Sequence, residues 1–219
     1  MGYDLHITRA FTSFDSSRYP ILLAEVVAVL RDEPDLVVPD DAPCRADLCF
    51  VEWTAGEGGL MFDNGRLRSK NPREEFIRRM TELASRLDAW VIGDDGEVFE
   101  RDGEQVVRRQ RGPGAFVVNA RYLTRGTPIR PEEWERLAAA EPDFRTMARI
   151  EATVPSGRRW IACPPVACWT GHPSGRVVPF FHDEDVIEVR HADEPTIRRM
   201  RELAPALAAT VVDDEDRPA

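Results

Sequence analysis

Two cysteines and two histidines in the last third of the chain have the types and spacing that metal chemistry requires. Four residues separate Cys163 from Cys168, three more separate Cys168 from His172, and His182 follows. Thiolate sulfur and imidazole nitrogen are the usual ligands of zinc, so these side chains could complete a tetrahedral site. The cysteine spacing is wider than in a zinc knuckle, and two prolines stiffen the gap. We therefore favour core cysteines with loop histidines, and predict no bound metal or cofactor.

The same cysteine and histidine pair is a candidate for nucleophilic catalysis, because an imidazolium beside a thiol lowers the pKa of that thiol. Cys168 stands beside Trp169 in an apolar stretch, which is typical of a buried and unreactive cysteine. We therefore assign no catalytic residue and predict a protein that is not an enzyme. The alternative is a small-molecule enzyme or sensor with its pocket between the two halves of the chain, metal-dependent through Cys163, Cys168, His172 and His182.

Acidic pairs and two tryptophans supply the candidate binding residues. Adjacent carboxylates at 94–95 and at 213–214 can hold a cation or act as acid and base, although a solvated turn is the simpler interpretation. The tryptophans precede glycine-containing loops at matching places, as core anchors or as the floor of a shared surface. The glycines of residues 54–59 lack the lysine of a phosphate-binding loop. The predicted binding residues are Trp53, Asp94, Asp95, Trp169, His172, His182, Asp183 and Glu184.

A repeat along the chain supplies the elements that position these residues. Residues 77–84 and 197–204 are identical at seven of eight positions, and four further landmarks recur in the same order. The landmark pairs are 5–9 with 121–125, 33–36 with 141–144, 53–54 with 169–170, and 94–95 with 213–214. A chance similarity between two amphipathic helices explains only the first match, so the colinear set predicts a tandem duplication.

Each copy is predicted to run β-α-β-β-β-α-β. In the first copy, alternation over 3–8 predicts a strand, and apolar residues from 21 to 30 predict a helix that stops before a Glu-Pro-Asp sequence. Asn64-Gly65 between two short strands predicts a tight hairpin. Apolar residues at helical spacing from 76 to 87 predict the last helix, with Asn71 as its cap. The predicted class is α+β, with the two copies forming a pseudo-dimer.

Residues 101–115 separate the two predicted copies. A basic run at 108–111 leads into Gly-Pro-Gly at 112–114, a composition that suits either a linker or a charged hairpin edge. The predicted domains are therefore a first repeat over 1–100, this connecting segment over 101–115, and a second, diverged repeat over 116–219.

The charge of the chain limits its partners. With 29 basic and 39 acidic residues the formal net charge is −10, which repels phosphate backbones and anionic lipid and attracts basic proteins. The sequence shows neither a long apolar span nor a secretory signal at its start, so we expect a cytoplasmic protein with reduced cysteines. We predict a basic protein partner, no nucleic acid, no membrane, and a monomer or weak homodimer.

Three segments carry a resemblance to known proteins: MGYDLHITR at the start, Lys-Asn-Pro at 70–72, and IGDDGEV at 92–98. They resemble a group of small, uncharacterised bacterial proteins that begin with a YDLHITR-type strand. The resemblance covers the first 100 residues, and reaches the second copy only through the internal repeat. Such proteins are associated with the immunity proteins of polymorphic toxin systems, and no established activity comes with the resemblance. It implies an immunity-like protein that occludes a basic toxin or another basic partner.

Overall fold

The computed structural model describes residues 2–45, 47–110 and 119–218. Within these residues the protein is α+β, as the sequence predicts, with four α-helices and two antiparallel sheets of nine and six strands. The described residues fall into two compact units, 2–110 with 151–163 and 119–150 with 164–218. Neither the predicted domain boundaries nor the pseudo-dimer is tested by this division, and both stay predictions.

The first unit contains the nine-stranded sheet and two helices. Its elements are β1 (Asp4–Thr8), α1 (Leu23–Leu30), β2 (Leu36–Val37), β3 (Cys44–Arg45), β4 (Leu48–Trp53), β5 (Gly59–Asp63), β6 (Arg66–Lys70), α2 (Glu74–Arg86), β7 (Trp90–Gly93), β8 (Glu97–Asp102) and β9 (Gln105–Gln110). The strand order is β2-β4-β5-β6-β1-β7-β8-β9, with β3 paired to β4. Residues 101–110 of the predicted connecting segment therefore lie in the β8–β9 hairpin, and 111–115 lie outside the described residues.

One core joins this sheet to its helices. Apolar residues of β1, β4, β5, β6 and β7 alternate towards the helices, and the apolar face of α2 packs on them. The turn at Asn64-Gly65 has positive φ at both residues, as the hairpin prediction requires. Asn71 differs from its prediction: Arg73 is the residue before α2, and Asn71 instead accepts a hydrogen bond from the Tyr3 N–H. Asn71 thus tethers the start of β1.

The second unit contains the six-stranded sheet apart from residues 151–154 and 157–163, which belong to the first unit. The elements of this sheet and its helices are β10 (Ala120–Thr124), α3 (Pro131–Ala140), β11 (Phe144–Val154), β12 (Gly157–Trp169), β13 (Val178–Asp183), β14 (Val186–Arg190), α4 (Glu194–Leu203) and β15 (Thr210–Val212). The strand order is β11-β12-β13-β14-β10-β15. This order repeats β2-β4-β5-β6-β1-β7 of the first unit, a likeness that favours the predicted duplication. The alternating residues 117–124 predict the first strand of the second copy, and 117 and 118 lie outside the described residues.

Cys44 and Cys49 form a disulfide, contrary to the expectation that all four cysteines are reduced. The two residues are directly paired across the short β3–β4 ladder, with a Cα–Cα distance of 4.0 Å. Such cross-strand pairing brings the two thiols together without further chain movement. Cys163 and Cys168 are free.

No helix among the described residues is long and apolar enough to cross a membrane.

Candidate functional site

Trp53 serves a structural role at the end of β4. Its ring stacks on Phe76 of α2, with 5.2 Å between ring centroids, and its Nε1–H donates to Asp35 at 2.9 Å. Asp35 also accepts two hydrogen bonds from the guanidinium of Arg79, at 2.7 and 2.8 Å. These bonds from Arg79, opposed by burial, hold the pKa of the Asp35 carboxyl below its usual value. Trp53 is thus an anchor between sheet and helix.

Trp169 makes the matching hydrogen bond in the second unit. Its Nε1–H donates to Asp143 at 2.6 Å, and Arg199 donates to Asp143 at 2.7 Å and to Glu141 at 2.5 Å. The counterpart of Glu141 is Glu33, to which Arg79 donates at 2.5 Å. One network therefore explains three of the recurring signatures, Glu-Pro-Asp, Trp-Thr and Ile-Arg-Arg-Met. In each unit a strand tryptophan and an arginine of the last helix bind the acidic residues that follow the first helix.

A second arginine network also occurs in both units. Arg9 donates to both carboxylate oxygens of Glu25 at 2.9 Å, and Arg125 binds Glu133 at 2.6 and 2.8 Å. Each guanidinium also donates to a backbone carbonyl that follows the last helix of its unit. These bidentate pairs fix the end of the first strand to the first helix.

Asp94, in the acidic turn after β7, also has a structural role. Its carboxylate accepts from the Asp4 N–H at 2.8 Å and from His6 Nε2 at 3.1 Å. Burial lowers the pKa of His6, against the opposing hydrogen bond to Asp94, so the imidazole is held neutral. In the second unit the Tyr122 hydroxyl donates to Asp214 at 3.1 Å. Asp95 is exposed beside this turn.

His172 is buried and lies within hydrogen-bond distance of the Ser174 hydroxyl and the Asp193 carboxylate. Its Nδ1 lies 2.8 Å from Ser174 Oγ and accepts the Ser174 N–H at 3.1 Å, while Nε2 lies 3.0 Å from Asp193. Because Nδ1 accepts a backbone N–H, the ring proton of the neutral imidazole is on Nε2, which donates a hydrogen bond to Asp193. Although burial raises the pKa of Asp193, hydrogen bonds from Thr196 and His172 hold it at about 2.

The cysteines and histidines of the zinc hypothesis are not assembled into a ligand set. Within the part of the chain that the structure describes, no group of three or more His, Cys, Asp or Glu side chains is placed to hold a metal ion. Cys168 is fully buried, and burial raises the pKa of the Cys163 thiol. His182 Nε2 is engaged by the Ile129 carbonyl at 2.6 Å, and His172 by Asp193.

Asp183 is the exposed last residue of β13, and Glu184 begins the exposed two-residue turn that leads to β14. Glu184 has a φ of 49°, the left-handed conformation that a tight hairpin turn requires. The turn is attached to the chain before α3, because the Ile129 N–H donates to the Asp185 carbonyl at 3.0 Å. Three successive acids thus face solvent on an ordered hairpin.

The most unusual exposed side chain is one that the sequence analysis missed. Phe14 is 92% exposed, on a short 3-10 helix (Ser13–Asp15) between β1 and α1. Phe11 and Leu22 of the same segment are 38% and 39% exposed. We call residues 9–22 the Phe14 loop. A nearly fully exposed phenylalanine on an ordered loop leaves a large apolar area in contact with water, which is typical of binding anchors.

Buried polar side chains hold the Phe14 loop in place. Ser16 Oγ lies 2.8 Å from Thr8 Oγ1 of β1, and Asp15, itself buried, accepts from Thr12 Oγ1 at 2.7 Å. Arg66 donates to the Ser13 carbonyl at 2.6 Å. The loop therefore has a fixed path across the β5–β6 hairpin, and the Phe14 side chain is exposed to solvent from an ordered backbone.

A difference in loop length was the signal that could have identified this site. Fourteen residues, 9–22, lie between β1 and α1, whereas six residues, 125–130, lie between β10 and α3. Both loops begin with an arginine that pairs with the following helix. The extra residues of the first loop, which contain both phenylalanines, have no counterpart in the second unit.

Comparisons of the chain with protein-family models, with curated proteins and with solved structures find no match.

Proposed function

We propose that this chain is a non-enzymatic binding protein that occludes a basic surface of a partner protein, in the manner of an immunity protein. The observation that carries the proposal is Phe14, which is 92% exposed at the tip of an ordered loop. Exposed aromatic side chains that become buried at an interface commonly supply most of its binding energy. Because the loop is already ordered before binding, association loses less conformational entropy.

The net charge of −10 supports a basic partner. An excess of carboxylates steers an oppositely charged protein over distances longer than any single contact, and raises the association rate most at low salt. In this proposal, charge brings the partner to the protein and Phe14 anchors it. The resemblance to immunity-like bacterial proteins agrees with the same mechanism of occlusion.

The test compares Phe14→Ala with Val37→Ala in affinity capture from a lysate of the source organism. Val37 is an exposed apolar residue of β2 in the same unit, 38% exposed, and so controls for the loss of a surface side chain. We expect one basic protein to be retained by the wild type and by Val37→Ala at low salt and released at high salt. Loss of the Phe14 anchor should weaken binding by about 30-fold, equivalent to about 2 kcal/mol.

Equal retention by Phe14→Ala and the wild type would contradict the role of the loop. Retention of an acidic protein, or insensitivity to salt, would contradict the role of charge. Because the Phe14 ring faces solvent, its removal should change the free energy of unfolding by less than about 0.5 kcal/mol, so weaker capture would not reflect unfolding.

A second candidate function comes from Ser174, His172 and Asp193. A hydroxyl, an imidazole and a carboxylate joined in that order form the arrangement by which hydrolases activate a serine. In this function Ser174 is the nucleophile and His172 its base. The same three side chains could instead stabilise the turn at 172–175, in which the Gly175 N–H donates to the His172 carbonyl at 2.8 Å. Hydrolysis of p-nitrophenyl acetate that is lost in Ser174→Ala would support the enzyme, and equal rates would exclude this nucleophile.

A further inference from the structure

A groove of about 570 Å³ lies on the first unit, at the end of the β5–β6 hairpin opposite to the Phe14 loop. Strands β4, β5 and β6, the loop 57–59 and the residues 71–73 that precede α2 line it. A volume of this size is within the range of pockets that hold small organic molecules. The groove makes no use of Phe14, so the inference that follows is independent of the function proposed above.

The floor of the groove is apolar. Phe50 of β4 and Met61 of β5 are directly paired across the two strands, and both are half-buried. Their chain neighbours on these strands face the core, so these two side chains lie on the opposite face of the sheet. Gly59 keeps the space beside the ring open, because a β-carbon there would lie 2.9 Å from Phe50 Cζ. A half-buried aromatic ring that lines a groove can stack against a flat apolar group.

Cations form the rim of the groove. Arg68, paired with Met61, is oriented by Asp63 at 2.8 Å. Lys70 has no carboxylate of the described residues within 4.0 Å of its ammonium. Arg73 pairs with Glu57 at 2.6 Å, but both side chains are more than 70% exposed, so water competes for this pair and an incoming anion can replace it.

The groove is less acidic than the rest of the protein. Arg68, Lys70 and Arg73 line it against Asp4 and Glu57, and Asp63 pairs with Arg68, so its charges balance in a chain whose net charge is −10. The thirteen-residue helix α2 begins beside the groove. Glu74 and Glu75 in its first turn offset the positive end of the helix, so the attraction for an anion comes from Lys70 and Arg73.

We propose that this groove binds a small amphipathic anion, a molecule with an apolar or aromatic body and one carboxylate or phosphate group. The body lies on Phe50 and Met61, and the anionic group is held between Lys70 and Arg73. A purely apolar ligand would not contact the basic rim, and a simple inorganic anion would not contact the apolar floor.

The test is a titration followed by amide chemical shifts of the ¹⁵N-labelled full chain. The probes are benzoate, phenyl phosphate, the neutral analogue benzamide, and inorganic phosphate. We expect saturable shifts at residues 57–61 and 68–73 with benzoate or phenyl phosphate, and binding at least about tenfold weaker with benzamide and inorganic phosphate. Tighter binding of benzoate would identify a carboxylate ligand, and tighter binding of phenyl phosphate a phosphorylated one.

Variants assign the two parts of the site. Lys70→Gln with Arg73→Gln should weaken binding about tenfold or more, whereas Arg198→Gln, an exposed arginine on α4, should leave it unchanged. Both groove residues are exposed, so their replacement should not unfold the protein. Absence of saturable shifts, shifts that map elsewhere, or benzamide binding as tight as benzoate would overturn the proposal. Inorganic phosphate binding as tightly as phenyl phosphate would also overturn it.

Discussion

Replacement of Arg79 by alanine should destabilise the protein by about 3 kcal/mol, because the guanidinium is buried among carboxylates. Arg79 is 11% exposed and donates to Asp35 through two nitrogens and to Glu33 through a third contact at 2.5 Å. Loss of one partner of a buried ion pair costs about 3 to 5 kcal/mol. The lower end applies here, because Asp35 keeps the Trp53 Nε1–H and Glu33 keeps Arg86. Arg79→Lys should cost about half as much, since lysine keeps the charge but not the bidentate contact.

The assay is urea unfolding followed by circular dichroism, at pH 7 and at pH values down to about 3. Burial raises the pKa of Glu33, but hydrogen bonds from Arg79 and Arg86 outweigh it, so the folded-state value lies below the ordinary 4.5. Asp35 is likewise depressed below 3.8 by Arg79. Carboxyls with a depressed folded pKa stabilise the protein above their unfolded pKa and lose that contribution as the pH falls through the folded value. The difference between wild type and Arg79→Ala should therefore shrink below about pH 4.

The matched change in the second unit is Arg199→Ala. Asp143 and Asp35 are alike in exposure, at 32% and 29%, but Glu141 is 28% exposed where its counterpart Glu33 is 13% exposed. Water can therefore solvate Glu141 better after the change, and we expect a smaller loss of about 2 kcal/mol. A loss below about 1 kcal/mol for Arg79→Ala at pH 7, or the same loss at pH 7 and pH 3, would refute the assignment of this network as a buried ionic anchor.

Two further predictions concern the cysteines and His6. Alkylation of the unfolded chain without reductant should modify two thiols, and four after reduction, as counted by mass spectrometry; four modified thiols without reductant would contradict the disulfide. Burial lowers the pKa of His6 from 6.5, so its contribution to stability is present above pH 6.5 and is lost as the pH falls towards the folded pKa. His6→Gln should flatten the dependence of unfolding free energy on pH in this range.

The sequence predicted those elements whose signals are local. Asn64-Gly65 identified its hairpin because the positive φ of a tight turn restricts the residue types that fit. The apolar spacing between 76 and 87 identified α2, because one face of a helix recurs every three or four residues. Asn71 was misassigned as a cap, since the same residue type also tolerates a left-handed turn, and its φ is 48°.

Partners that are distant in the chain could not be predicted in the same way. Asp35, Trp53 and Arg79 each belong to a repeated signature, but their mutual hydrogen bonds depend on how strand, loop and helix pack. The exposure of Phe14 is also a tertiary property, because an apolar residue between a strand and a helix would ordinarily be assigned to the core. Only the difference in length between the two equivalent loops pointed to it.

The final strand of the first unit lies at a border of the nine-stranded sheet. Among the described residues β9 terminates the nine-stranded sheet, so the outward N–H and C=O groups of residues 105–110 offer a template to any extended chain. Arg108 and Arg109 occupy the middle of this strand and pair with Glu97 and Glu100 of β8. A second copy that approached in register would bring like charges together and would have to desolvate them. The arginines thus give this open border a resistance to fibril growth that an apolar strand of equal length would lack.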